Sequence, residues 1–288
     1  SEILTMIPIL SKIKNFCIYR PLPAIGLFVL ILFSFVGIFA PLIAPYGPIE
    51  MIVKDRLSPP SLAHLMGTDH LGMDIFSRVV YSTRIDLFIA VTSVGCAMLI
   101  GVPLGALIGY APKKVDETVM RLIDGINAFP MFILALIVAG AVGPGLKNVI
   151  FVVAFVNFPS YLRLVRGQVL SLKERQFVEA AKSVGNGYLR ITMVHILPNT
   201  LGPVLVLMCI NCAWAIITAA GLSFLGVGIP LPEPEWGAMV SVGTRYALSG
   251  EWWISFFPGI VITLVVLSLN LIADTLQEIM DPKRRILI

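Results

Sequence analysis

Charge is what this 288-residue sequence has least of: 13% of its residues are Asp, Glu, Lys or Arg, against 57% hydrophobic. A soluble domain carries about 25% charged residues, so the shortage argues against one. Histidine is rarer still. His64, His70 and His195 fall far apart among the apolar runs and make no metal site. The four cysteines, Cys17, Cys96, Cys209 and Cys212, sit in or beside those runs, which excludes a disulfide framework. Cys209 and Cys212 read as CxxC, but metal or redox chemistry needs accessible thiols and further ligands, so the pair is read as small apolar filler. The sequence has no GxxxxGK[ST], hence no loop to cradle ATP phosphates. No Ser-His pair, paired carboxylates or HExxH stands at catalytic spacing within an apolar run, which counts against an intramembrane enzyme. No filter-like string marks a passive channel.

What the sequence does have is length without charge. Residues 21–49, 87–112, 125–146, 148–162, 191–232 and 252–273 contain no Asp, Glu, Lys or Arg, and the mean hydropathy is +0.91. A bilayer core of ~30 Å needs ~20 helical residues. Five blocks suffice alone, and 148–162 suffices if Arg163 or Arg166 snorkels to the interface. The block at 191–232 exceeds one span. Pro198 is expected to open its helix, and Gly226, Gly228, Pro230 and Pro232 to end it in a re-entrant or external segment. The expectation is an all-α membrane protein with six transmembrane helices, near 23–44, 86–110, 119–141, 148–165, 199–224 and 254–276. They form one domain at 23–277, between a cytoplasmic segment at 1–22 and a cytoplasmic tail at 278–288. The first block is too long for a cleavable signal, and no small-residue cleavage site follows it. With the N-terminus inside, fifteen of the 21 Lys and Arg residues are cytoplasmic, which favours N-in, C-in. The net charge of +4 is thus a topology signal and gives no reason to expect nucleic acid. Outer loops are expected near 45–85 and 226–253.

Gly101, Gly105 and Gly109 repeat one turn apart on the second helix, a spacing that lets helix backbones approach closely in lipid. Pro103 among them is expected to bend it. Asp124 and Asp274 stand near inner helix ends, where water, Arg121 or Lys283 can satisfy them. Asn157, Asn211 and Trp214 are candidates for lining a translocation path, with helix contact as the alternative. Trp236, Trp252 and Trp253 fit an interfacial aromatic belt. One polar stretch interrupts the pattern: a cytoplasmic segment at about 166–198. Phe177, Ala180, Ala181 and Val184 recur there at helical spacing, and Gly185 stands where a C-cap is expected. Such a short amphipathic helix suits a groove on a partner protein or the membrane surface.

Glu179-Ala180-Ala181, then Gly185, then Leu197-Pro198 resembles the EAA loop of ABC importer permeases, that family's docking element for the ATP-hydrolysing subunit. His195, within HILPN, is similar to the dipeptide, oligopeptide and nickel group of these permeases. The likeness runs from about residue 23 to 282. It includes GTDHLGMDIFSR from Gly67, RLIDGINAFP from Arg121, RLVRGQVLSLKERQFVEAAK from Arg163, GLSFLGVG from Gly221, EWGAMV from Glu235 and NLIADTLQEIMDP from Asn270. Two positions depart. Met73 separates Gly72 from Asp74 where the family reads GRD, and Ala219 replaces an acid common in relatives. The resemblance implies a non-catalytic subunit of type I importer fold in the bacterial inner membrane, with no cofactor of its own. It implies a second homologous permease, two ABC ATPase subunits that bind ATP and Mg, an external substrate-binding protein, and surrounding lipid. The coupling residues it implies are Phe177, Glu179, Ala180, Ala181, Val184, Gly185, His195, Leu197 and Pro198. The cargo implied is di- or oligopeptides, with a nickel chelate or glutathione as the alternative.

Overall fold

The computed structural model describes residues 21–280. The expected terminal segment and tail, with Cys17 and Lys283, lie outside those residues, apart from 21–22 and 278–280. Helix α1 (Pro21–Ile38) and a short α2 (Ala40–Ile43) lead into a folded loop, then α3 (Ile75–Tyr110), α4 (Lys113–Asn127), α5 (Met131–Val142) and α6 (Leu146–Leu172). A hook follows, built on α7 (Gln176–Ser183) and a single turn, α8 (Tyr188–Arg190). Then come α9 (Leu201–Phe224), the short α10 (Trp236–Thr244) and α11 (Trp253–Met280). Five stretches are long and apolar enough to cross a membrane, and six if α4 and α5 together make one.

Two helices differ from expectation for local reasons. The second was expected to begin at Asp86, where charge stops, but α3 starts eleven residues earlier. Asp74 caps it, accepting from the Ser77 amide at 2.7 Å, so one free N–H of the first turn is satisfied by side chain. At 36 residues α3 is about 54 Å long, well beyond a ~30 Å hydrocarbon core. The third expected span, 119–141, is broken. Helices α4 and α5 meet at 86° across Ala128–Pro130, because proline lacks the N–H to continue the ladder and disfavours helix at Phe129 before it.

The core is where α3, α6, α9 and α11 meet, with Ile89, Val94, Tyr161, Val165, Ile216 and Val265 almost wholly enclosed. Helices α3 and α6 touch backbone to backbone. A Cβ on Gly101 would lie 2.6 Å from the Phe158 carbonyl oxygen, one on Gly105 2.5 Å from that of Leu162, and one on Gly109 3.0 Å from that of Arg166. Three glycines four residues apart on one helix thus face three carbonyls four residues apart on the other.

At one end of the bundle, the loop end, residues 44–74 form a compact cap. Buried His64 bonds Asp74 through Nδ1 at 2.9 Å, faces Asp55 at 3.6 Å, and stacks on Tyr46 at 5.0 Å. Arg78 is 2% exposed, and its guanidinium donates to the carbonyls of Pro48 at 2.8 Å and Pro232 at 3.1 Å and to the Met73 sulfur at 3.0 Å. Met73 is therefore a packed partner of Arg78.

Gly105→Val is expected to force α3 off α6 and lower the unfolding free energy by about 1–3 kcal/mol. Gly95→Ala on the same helix, where a Cβ meets nothing within 4 Å, should change it by no more than about 1 kcal/mol. Equilibrium unfolding of the purified protein in mixed micelles distinguishes them.

Candidate functional site

The hook lies at the other end of the bundle, where α3 and α6 finish. A charge-rich run, Lys173 to Arg175, stops α6, and α7 begins at Gln176. Its stop is well defined. Gly185 has φ +82, its amide donates to Lys182 O at 2.9 Å, and the Asn186 amide donates to Ala181 O at 3.2 Å. Those paired bonds close the helix in a left-handed turn that glycine adopts without strain. The Asn186 side chain adds a further bond to Ala181 O at 3.1 Å.

The expected apolar stripe of α7 divides between two surfaces. Val178 and Ala181 are buried against the bundle, beside Ile191 and Ile196 in the main core. Phe177, Ala180 and Val184 point away from it, with Val184 83% exposed and Phe177 41% exposed. Glu179 is exposed on the same outer side. Sequence spacing grouped the stripe but missed Val178, which anchors the helix. Tyr188 then fastens the hook to α3: its hydroxyl donates to the Leu107 carbonyl, and its ring lies 5.2 Å from that of Tyr110. Lys182 Nζ sits 5.6 Å from the Tyr110 ring centre, within cation–π range.

The polar segment is shorter than expected. Residues 166–172 belong to α6, and from Tyr188 the chain already runs in a helical path toward α9. That path widens over Ile191–Ile196 and tightens over Leu197–Thr200, so His195, Leu197 and Pro198 lie on an irregular helical entry rather than in a loop. Wide turns inside helices recur at functional sites. The His195 Nε2 is buried without a hydrogen-bond partner, while its carbonyl accepts from Asn199 at 2.7 Å.

Two acids on α4 bind two arginines on α6 beside the hook. Asp116 takes Arg166 through both carboxylate oxygens, one contact at 2.7 Å, and Asp124 takes Arg163 at 2.7 Å. Asp124 was expected to meet water or Arg121, and Arg163 or Arg166 to snorkel to the interface. Pairing across two helices satisfies both at shorter range. Between α6, α9 and α11 lies an open, apolar groove of about 460 Å³, lined by Leu164, Val206, Leu207, Ile210 and Met280 among others.

The three path candidates do not come together. Asn157 is 1% exposed and donates to Val153 O on its own helix at 2.8 Å. Asn211 is buried, facing the Tyr161 hydroxyl. Trp214 is 51% exposed on the outer surface of α9. Trp236 and Trp253, expected in an interfacial belt, are buried at the loop end, whereas Trp252 is half exposed.

Long apolar helices and a bent pair define an all-α chain with five or six candidate membrane spans. Residues 101–286 match the model for the binding-protein-dependent transport system inner membrane component, and the chain belongs to that family. Residues 20–60 also match the N-terminal TM domain of oligopeptide transport permease C. The dipeptide transport system permease protein of Alkalihalophilus pseudofirmus is 40% identical over 92% of this chain and 86% of its own. The di/tripeptide permease protein of Pseudomonas aeruginosa is 38% identical over 90% and 87%. The glutathione permease protein of Pectobacterium atrosepticum is 41% identical over 90% and 86%. A solved chain of the methionine ABC transporter MetNI, inward facing, superposes with a TM-score of 0.58 over 72% of this chain and 98% of its own, at 17% identity. The chain is thus a multi-pass inner membrane component of a bacterial ABC transporter.

Val178→Ala should lower the unfolding free energy by about 1–3 kcal/mol, because it empties an enclosed site. Phe177→Ala, on the exposed side of the same helix, should change it by less than about 0.5 kcal/mol. Thermal melts of the two proteins side by side check the division of the stripe.

Proposed function

We propose that this chain is the permease subunit of an ATP-driven, binding-protein-dependent importer of di- or oligopeptides, and that its hook is the docking joint for an ATPase subunit. The observation that carries this reading is the exposed row Phe177, Ala180 and Val184, held on a capped helix whose other side is fixed to the bundle. An apolar helix face with two small side chains beside an aromatic one fits a groove on a folded partner. The buried Val178 and the Tyr188 link make α7 a rigid handle, so a push on it reaches the end of α3 directly. Movement of that handle between two positions drives alternating access of the bundle.

In this reading the hook end is cytoplasmic, the termini are inside, and the 44–74 cap and α10 face outward, as the distribution of Lys and Arg supports. ATP and Mg are held by two partner ATPase chains, since this sequence offers no phosphate loop. A second, related permease completes the path, and an external binding protein delivers the cargo to the cap. The named relatives transport dipeptides, di- or tripeptides and glutathione, which supports peptide-like solutes as the cargo. A nickel chelate is the alternative within the same group.

Val184→Asp and Glu179→Lys change exposed groups and should leave insertion and melting unchanged while abolishing co-isolation of the ATPase and substrate-driven ATP hydrolysis. Uptake of labelled dipeptide into proteoliposomes is expected to fall at least about tenfold, equivalent to about 1.4 kcal/mol of lost coupling. Normal uptake by both variants would overturn the docking assignment.

A further inference from the structure

The loop end contains a second polar cluster that the transport reading leaves unused. Asp86 on α3 is 1% exposed, and Glu235, which caps α10, is 0% exposed. Both carboxylates accept from the first amides of α10, Asp86 from Trp236 and Glu235 from Gly237 and Ala238, which sets the two carboxyl groups beside each other. Two adjacent carboxylates have no hydrogen to share, so a bond between them needs an added proton. The remaining bonds locate it. Glu235 accepts from the amides of Gly237 at 2.9 Å and Ala238 at 2.7 Å, using both oxygens. Asp86 Oδ2 accepts from the Trp236 amide at 3.2 Å. Asp86 Oδ1 is buried and has no N–H or hydroxyl donor. An oxygen short of a donor, against a carboxylate whose oxygens already accept, is where a proton closes the network.

Among the described residues, no cation takes the proton's place. Helices α1, α9 and α10 contain no Asp, Glu, Lys or Arg, and α11 has none before Asp274. On α3, Arg78 is turned to the carbonyls of Pro48 and Pro232 and lies in the field of Asp69 and Glu233, and Arg84 is exposed. Burial pushes the Glu235 carboxyl above the ordinary glutamate range, against the pull of its two backbone donors. Two adjacent buried carboxylates cannot both ionise without a large penalty.

We propose that Asp86 and Glu235 hold one proton between them, carried on Asp86 Oδ1, and that this proton latches α10 to α3. The other sides of α10 are backbone contacts. A Cβ on Gly237 would lie 2.2 Å from Ala220 O, and one on Gly243 2.4 Å from Ser255 N. Trp236, 0% exposed, fills the angle between α10 and α3, with Nε1 donating to Val79 O at 3.2 Å and the Phe33 ring against it. Loss of the proton leaves two charges facing each other in a dry site and opens this seam first.

A proton bound more tightly in the folded than in the unfolded chain stabilises at low pH. Its contribution is lost as pH rises from the ordinary carboxylate range through that of the pair. The folding constant of the wild type should therefore fall by up to about tenfold per pH unit in that window, relative to a variant without the site. Asp86→Asn is that variant: its amide donates to Glu235 and its oxygen still accepts from Trp236. Equilibrium unfolding in mixed micelles from about pH 5 to about pH 9 should show a falling stability for the wild type, relative to a flatter Asp86→Asn profile. Infrared spectra of the full-length protein should show a protonated carboxylic acid band that Asp86→Asn removes. Glu235→Gln, which loses one acceptor for the α10 amides, should remove the band too and melt lower. An unchanged band in Asp86→Asn, or parallel pH profiles for it and the wild type, would overturn the proposal.

Discussion

The contact between α3 and α6 sets the geometry of everything else. Lipid gives two apolar helices no hydrophobic reason to associate, so their pairing must come from close packing. Gly101, Gly105 and Gly109 supply it by letting the α6 carbonyls approach to within a side chain's thickness. Because the contact runs for about two turns, the two helices are held in parallel register over about 12 Å. One end of that register carries the hook through Tyr188 and Leu107, and the other carries the 44–74 cap through Asp74. A shift of α3 along α6 moves both at once. This is how one permease chain can relate events at its two faces without a separate transmission element.

Much of this was legible in sequence because it rests on local rules. Charge-free runs located the membrane helices, the glycine spacing located a close helix face, and Gly185 located the end of α7. Where the reading failed, either a local sign was outweighed by apolar patterning or the contact is made only by the fold. The start of α3 depends on Asp74, a cap that lies in a loop and gives no apolar signal. The break at Pro130 was readable in principle, since a proline inside an apolar run is a local sign. The apolar length on both sides of it outweighed that sign. The pairs Asp116–Arg166 and Asp124–Arg163 join residues far apart in sequence, and only the α4–α6 crossing brings them together. Val178 was overlooked because period alone defines a stripe and does not say which edge of it meets the bundle.

The polar groups of the described residues are distributed by function of place. At the hook end, charges pair across helices and remain partly open to water, which keeps α4 attached while α7 stays free to engage another surface. At the loop end, His64, Asp74, Arg78, Asp86 and Glu235 are enclosed, bonded mainly to carbonyls, amides and one another. The candidate path residues follow neither pattern. Asn157 bonds its own helix and Asn211 faces Tyr161. An open apolar groove lies beside α9 and α11.

Arg78 ties the cap to the segment before α10 without using a carboxylate as its bonded partner. An exposed ion pair there would weaken as salt rises, because mobile ions screen charge over about 10 Å at 0.1 M. Bonds from a buried guanidinium to backbone carbonyls act at contact distance and are shielded from those ions. The loop end of this permease can therefore keep one shape in dilute water and in brine.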